Sequence, residues 1–235
     1  MILAITANGS KLAPYLIFKA KQNGIIEKRL KNDKYILSKK CFVACNINAW
    51  STNEIIKDWK IKVWDEYLTK GSIVNDENYG YLIMDRAPSH DNEEIIKLFR
   101  GGNREITLIP GGLTRYYQPL DVSINKPFKN ALREKYISYC IENGNTDLKI
   151  SRSKMIEYIC DIWYDDKIIT KEIIYKSFRV TGIANKLDKS EDYLFTSWAR
   201  MKEDNPLIEN DLENSFNLKE VEEGMENEVL DEEDI

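Results

Sequence analysis

The chain has 235 residues, 43% of them hydrophobic and 11% aromatic, enough apolar material for the core of one large domain or two small ones. No apolar run approaches the roughly 18 residues of a membrane span, and Met1-Ile-Leu-Ala-Ile-Thr lacks the charged start and long apolar core of a secretory signal. The formal charge of −5 conceals a division: residues 203–235 carry fourteen acids and one base, Lys219, which leaves residues 1–202 at +8. A basic body can meet a phosphate backbone that an acidic segment would repel.

Taken in order, the chain opens as a hairpin. Ile2-Leu-Ala-Ile5 and Tyr15-Leu-Ile-Phe18 are strand-like runs on either side of Asn8-Gly9, a strong turn signal. Residues 20–50 are polar, lysine-rich and weakly patterned, with a short strand expected at Cys41 to Ala44. Ser51 or Thr52 caps a helix expected to run to about Leu68, because Ile55, Ile56, Trp59, Val63, Trp64 and Tyr67 recur at helical spacing. Residues 71–80 read as a loop.

Tyr81 to Met84 is a short apolar run with the pattern of a strand buried on both faces, and it stops at Asp85. Pro88 forbids its continuation as a helix interior. Ligands of open α/β sheets gather at carboxyl ends of strands, where Asp85 stands. Asp91 caps the next expected helix, with Ile95, Leu98 and Phe99 facing inward and Gly101-Gly102 ending it. Ile106 to Ile109 is a second strand, closing at Pro110-Gly-Gly. Pro119 suits the first turn of a helix running to about Ile141, which puts Asp121 at that helix's start. Ile124, Phe128, Leu132 and Tyr136 follow at spacings of four.

Two acids, one ending a strand and one opening a helix, can converge on one point and bind Mg²⁺ or Mn²⁺, which take oxygen ligands. Spacing alone favours a plainer reading, in which Asp85 begins a turn and Asp121 complements a helix dipole. His90 is the only histidine, so a His-rich metal site is excluded. It either hydrogen-bonds a metal-binding group near Asp85 or is a plain loop histidine. Cys41, Cys45, Cys140 and Cys160 have no zinc-site spacing and read as buried thiols.

Lys126, Lys129, Arg133 and Lys135 fall largely away from the apolar positions of the helix after Asp121. They suit either a DNA backbone or an ordinary solvated face. Residues 144–195 look helical, with Met155, Ile156, Ile159 and Trp163 on one stripe and Ile173, Ile174 and Phe178 on another. From Glu203 onward the composition is that of a disordered acidic tail.

Asp85-Arg-Ala-Pro-Ser-His90 and Pro110-Gly-Gly-Leu-Thr114, followed by Gln118-Pro-Leu-Asp121-Val-Ser-Ile-Asn-Lys-Pro-Phe-Lys129, closely resemble the DDE endonuclease domain of pogo/Tigger-type transposases. The 35 residues between Asp85 and Asp121 fit the spacing of the last two acids in such triads. Ala7-Asn-Gly-Ser-Lys-Leu-Ala-Pro14 and Ser177-Phe-Arg-Val-Thr-Gly-Ile-Ala-Asn-Lys-Leu-Asp188 are similar to further segments of the family, so the resemblance covers most of residues 1–195.

The resemblance implies an α/β, RNase H-like mixed sheet flanked by helices; the charge division then sets the expected domain at residues 1–202, with a tail from 203 to 235. It implies two divalent ions, Mg²⁺ or Mn²⁺, held by Asp85, Asp121 and a further acid for cutting and joining DNA. It also implies DNA as partner and the nucleus as compartment; Lys126, Lys129 and Arg133, by their place on the helix after Asp121, are the candidate contacts. One departure stands out. The family's first Asp lies on a first strand that has no counterpart in these residues. That strand sits mid-sheet, between the ones that here begin at Ile2 and end at Asp85. The expectations are therefore that cleavage activity is lost with the first Asp, and that a partner chain or an upstream segment supplies the strand. The alternative is a non-catalytic nucleic-acid or protein-binding module derived from a transposase.

Overall fold

The computed structural model describes residues 1–70, 80–87, 92–101, 104–144 and 149–204. His90 and Asp91, and the acidic stretch from Asn205 onward, lie outside them. The fold is mixed α/β, with four short strands among the described residues and helices packed around them. The first hairpin forms as expected but loosely, through antiparallel bridges Ile2↔Tyr15 and Ile5↔Lys11. Its turn passes through Gly9 at φ +87°, where an added Cβ would lie 2.3 Å from the Lys171 side chain, so both backbone and space require glycine.

Strand β1 (Tyr15–Lys19) pairs in parallel with β2 (Phe42–Asn46), in the register Tyr15↔Phe42 to Lys19↔Asn46. The crossover between them holds two short helices, α1 (Ile25–Leu30) and α2 (Lys34–Leu37), where the sequence shows only weak patterning. They are four to six residues long, too short for a periodic stripe, and Leu30 alone carries α1's apolar anchor into the core.

Thr52 caps α3 (Asn53–Trp59), accepting from the Ile55 N–H at 3.5 Å. The helix continues through a π-helical stretch, Lys60–Asp65, into α4 (Glu66–Lys70). Ile55, Ile56, Trp59, Val63 and Trp64 are buried, as their spacing predicts, whereas Tyr67 is half-buried and its neighbour Leu68 is buried instead.

Strand β3 (Gly80–Asp85) pairs in parallel with β4 (Arg104–Ile109), Asp85 standing opposite Ile109. The expectation that this strand is buried on both faces is corrected: Leu82 and Met84 are buried, but Tyr81 is 60% exposed. The pattern is the alternation of a strand with one covered face. Between them, α5 (Glu93–Phe99) is capped by Asn92, whose Oδ1 accepts from the Ile95 N–H at 3.0 Å. Asn92, one residue later than Asp91, has the extended backbone of an N-cap.

A single turn, α6 (Thr114–Tyr117), precedes Pro119. Pro119 leads into a π-helical stretch, Leu120–Ile124, and then α7 (Asn125–Glu142). Helices α8 (Arg152–Tyr164), α9 (Lys171–Val180) and α10 (Thr196–Asp204) follow, and a one-turn 3₁₀ helix at Asp192–Leu194 interrupts the helical stretch expected to reach 195. All four thiols are free and buried. No helix among the described residues is long and apolar enough to cross a membrane.

The strands do not make one sheet. Among the described residues they form two separate two-stranded parallel sheets, β1-β2 and β3-β4. Two cores result. Leu16, Val43, Phe128, Ile156, Trp163 and their neighbours form one, while Ile55, Trp59, Trp64, Leu82, Met84 and Ile106 form a second that also takes in Tyr15, Ile17 and Phe42 from the first sheet.

Candidate functional site

Asp85 is half-buried at the carboxyl end of β3, where the chain leaves the sheet at Arg86-Ala87. Asp121 is exposed in the first turn after Pro119. Its N–H donates to the Gln118 carbonyl at 3.0 Å, and its Oδ1 accepts from Asn125 Nδ2 at 2.7 Å. That side-chain bond spans one helical turn and fixes the carboxylate's direction.

A cavity of about 600 Å³ brings the two segments together. All six residues of β3, Asp85 included, line it, and so do Gln118, Pro119 and Leu120, the three residues leading into Asp121. Residues 2–8 of the opening hairpin, Trp59, Trp64, Tyr67 and Leu68 form further walls, with Phe178, Ile183 and Ala184 from the C-terminal part of the fold. A strand end and a helix start thus face one space, the arrangement that the sequence allows.

Tested against Mg²⁺, the donor set fits in part. Two carboxylates are the oxygen ligands that a hard cation takes, but no group of three or more His, Cys, Asp or Glu is gathered to hold a metal among the described residues. Asp33, Asp58 and Asp65, three aspartates between the hairpin and β3, are engaged elsewhere. Asp33 caps α2, Asp58 accepts from Tyr15 and Lys62, and Asp65 pairs with Lys60 and Arg104.

Lys126, Lys129 and Arg133 are exposed and stand at i, i+3 and i+7, hence on one face of α7. Phe128 on the opposite side is buried against Trp163, with ring centroids 6.1 Å apart. Lys135 leaves this basic face: it pairs with Asp161 at 3.3 Å and lies 5.2 Å over the Tyr158 ring. Sequence reading missed a second hollow of about 370 Å³, next to Asp85 in the chain and lined by Arg86, Arg100 and Pro110 among others. No sequence signal links these arginines, because Arg86 follows β3 and Arg100 follows α5. Arg100 is tied to Glu105 at 3.4 Å.

Residues 1–178 match the family model described as DDE superfamily endonuclease. Among curated proteins, the chain is 25% identical over 201 residues to a human protein named "Pogo transposable element with KRAB domain", and 26% identical to its mouse counterpart. A human "Pogo transposable element with ZNF domain" is 24% identical over 187 residues. These matches cover 83%, 83% and 78% of this chain, which spans about 30% of the length of the first two relatives and 12% of the third. No solved structure matches.

Proposed function

We propose, since the chain belongs to the DDE superfamily endonuclease family, that it is a pogo-type transposase core with an RNase H-like arrangement that binds DNA through the basic face of α7. The observation that carries this is the shared cavity. Asp85 and the segment Gln118-Pro-Leu that leads into Asp121 line one space, although the two acids of the pogo-like motifs stand 35 residues apart in sequence.

Asp85 and Asp121 would hold Mg²⁺ or Mn²⁺ there, two ions in the complete family site. When bound, such ions supply activation of a water or 3′-OH and charge stabilisation at the leaving oxygen, for cleavage and strand transfer. Asn125 orients Asp121 for that role, and β3 holds Asp85 at its rigid end. The rest of the reading is DNA as partner, the nucleus as the place of meeting, and a supplied strand to complete the sheet, from a partner chain or an upstream segment.

A second reading is favoured by the donor set of two acids: a transposase-derived module that binds nucleic acid or protein without cutting. DNA binding by titration with a labelled duplex across a salt series tests what both nucleic-acid readings share. Affinity should fall steeply with salt, with a slope of about 0.9 per phosphate contacted. Binding that does not respond to salt would remove the basic face from the account.

A further inference from the structure

Of the chain's five tryptophans, Trp50 is the one that stands in solvent, 73% exposed. Trp59, Trp64 and Trp163 are buried, and Trp198 is half-buried beside Phe195 and Lys202. The loop that carries Trp50 leaves β2 at Asn46, which organises the turn. The Asn46 carbonyl accepts from the Ala49 N–H at 3.1 Å, and its Nδ2 donates to the Trp50 carbonyl at 3.1 Å. Its Oδ1 accepts from the Asn48 N–H at 3.2 Å. Ala49 turns through φ +57°, and Thr52 caps α3 two residues beyond Trp50. The backbone is thus tied down on both sides while the indole is left in water, with Ile47 of the same loop 70% exposed. Large apolar groups presented together on an ordered loop mark an interaction site.

Side-chain bonds place this loop at the Asp85 end of the fold. Asn53, three residues after Trp50, accepts from Asn92 Nδ2 at 3.1 Å and donates to Glu94 Oε2 at 2.9 Å. Asn92 caps α5, the crossover helix between the parallel strands β3 and β4. The N-terminus of such a helix lies at the carboxyl end of the strand before it, where Asp85 stands. Charge is the second feature. Lys19 ends β1 opposite Asn46, and the Ala20 N–H donates to the Asn46 carbonyl at 3.1 Å. Lys19 and Lys21 flank that bond, and both are exposed. An apolar protein surface matches the indole but not the lysines. A nucleobase on its phosphate backbone matches both, the base through its π-face and the phosphates through their charge. Bases inside a duplex are covered on both faces by their neighbours, so an unpaired base is the one that offers a face.

We propose that Trp50 is a stacking platform for an unpaired nucleobase of the DNA strand that enters the Asp85 site, with Lys19 and Lys21 holding the phosphates beside that base. This rests on the DNA-binding reading above. To the basic face of α7 it adds a contact that depends on the base itself and not on charge. Every base has a π-face, so stacking is tolerant of sequence, and Trp50 detects an opened strand without reading its letters.

The test compares one duplex in three forms: blunt, with a short unpaired overhang, and with the same overhang made abasic. Salt-dependent binding of the blunt form by the full chain reports on the DNA-binding reading alone. The base-bearing overhang should bind about tenfold more tightly than the abasic one, within what stacking of one base supplies. Trp50→Ala should abolish that preference, and Trp50→Phe, which keeps a smaller ring, should retain part of it. Equal urea midpoints for parent and variants show that the fold is kept. Tryptophan emission gives an independent readout. The base-bearing overhang should quench it and the abasic one should not, and the quench should vanish in Trp50→Phe because the other four indoles are buried or half-buried. Binding of the blunt duplex without preference between the overhangs overturns this proposal and leaves the DNA-binding reading standing; no binding of any form overturns both. A preference that survives Trp50→Ala, or a quench that survives Trp50→Phe, also overturns it. So does emission that changes with protein concentration in the absence of DNA, which makes a second copy of the chain the partner of Trp50.

Discussion

Trp163 Nε1 donates a buried hydrogen bond to the main-chain oxygen of Leu12 at 2.8 Å, joining α8 to the opening hairpin across 151 residues of sequence. Trp163 is fully buried and Leu12 is 4% exposed, so water cannot replace either partner. Replacing Trp163 by Phe keeps much of the packing against Phe128 but orphans the Leu12 carbonyl. The expected cost is about 1–3 kcal/mol. Trp163→Ala adds a cavity, and the loss should reach about 3–5 kcal/mol. Urea unfolding of the two variants checks the order.

If the proposed site offers only Asp85 and Asp121, cleavage should be absent or very weak in the 235-residue chain by itself. In related electrostatic sites, losing a single stabilising group costs about 3–4 kcal/mol of transition-state energy. A supercoiled plasmid incubated with Mn²⁺ should remain supercoiled. Robust nicking that disappears in Asp85→Ala would show that another acid completes the set.

On α7, changing Lys126, Lys129 and Arg133 together to Ala should weaken duplex binding and reduce the salt slope by up to about 2.7, at about 0.9 per lost phosphate contact. Lys135→Ala should act differently. Its partners are Asp161 and the Tyr158 ring, so it should move stability more than the salt slope. Anisotropy titrations at several salt concentrations separate the two outcomes.

The acidic C-terminal residues should oppose DNA binding. Residues 205–235 carry twelve acids and one base. Truncation after Asp204 keeps the Tyr116 hydroxyl's bond to that carboxylate at 2.8 Å, so α10 retains its tie to α6. The shortened protein should bind DNA more tightly at low salt and converge with the full chain as salt rises. Equal affinity at every salt concentration would mean that these acids do not act on the basic body.

Stability should decline above pH 10. Burial first, then a hydrogen bond to Asp58, holds the Tyr15 phenol well above its ordinary value. Tyr35 and Tyr164 are each pushed up to about 12, chiefly by burial. In the unfolded chain these phenols release their protons near pH 10. The folded state still holds them there, so the unfolded state binds fewer protons and stability falls as pH rises from about 10 toward 12. Tyr15→Phe, followed by urea unfolding at several pH values, should show a shallower decline than the parent. An unchanged slope would mean that Tyr15 titrates as it does in the unfolded chain.

Much of the local structure can be read from the sequence because its causes are local. Thr52 caps α3, Pro119 stands just ahead of the helical turn that holds Asp121, and the apolar spacing of Ile55 to Trp64 marks a buried face. These follow from capping, the fixed φ of proline and helical period, none of which needs a distant partner. Helices α1 and α2 escaped because four to six residues are too few to show a period. The pogo-like motifs named Asp85 and Asp121 as a pair, yet only the folded chain could place β3 and the Gln118–Leu120 segment around one cavity. The tertiary structure also decided that the strands form two sheets, that Trp59 and Trp64 wall the cavity beside β3, and that Trp163 reaches Leu12. A buried stripe says which face of a helix turns inward. What lies opposite is set by pairing between segments far apart in the chain, on which local pattern is silent.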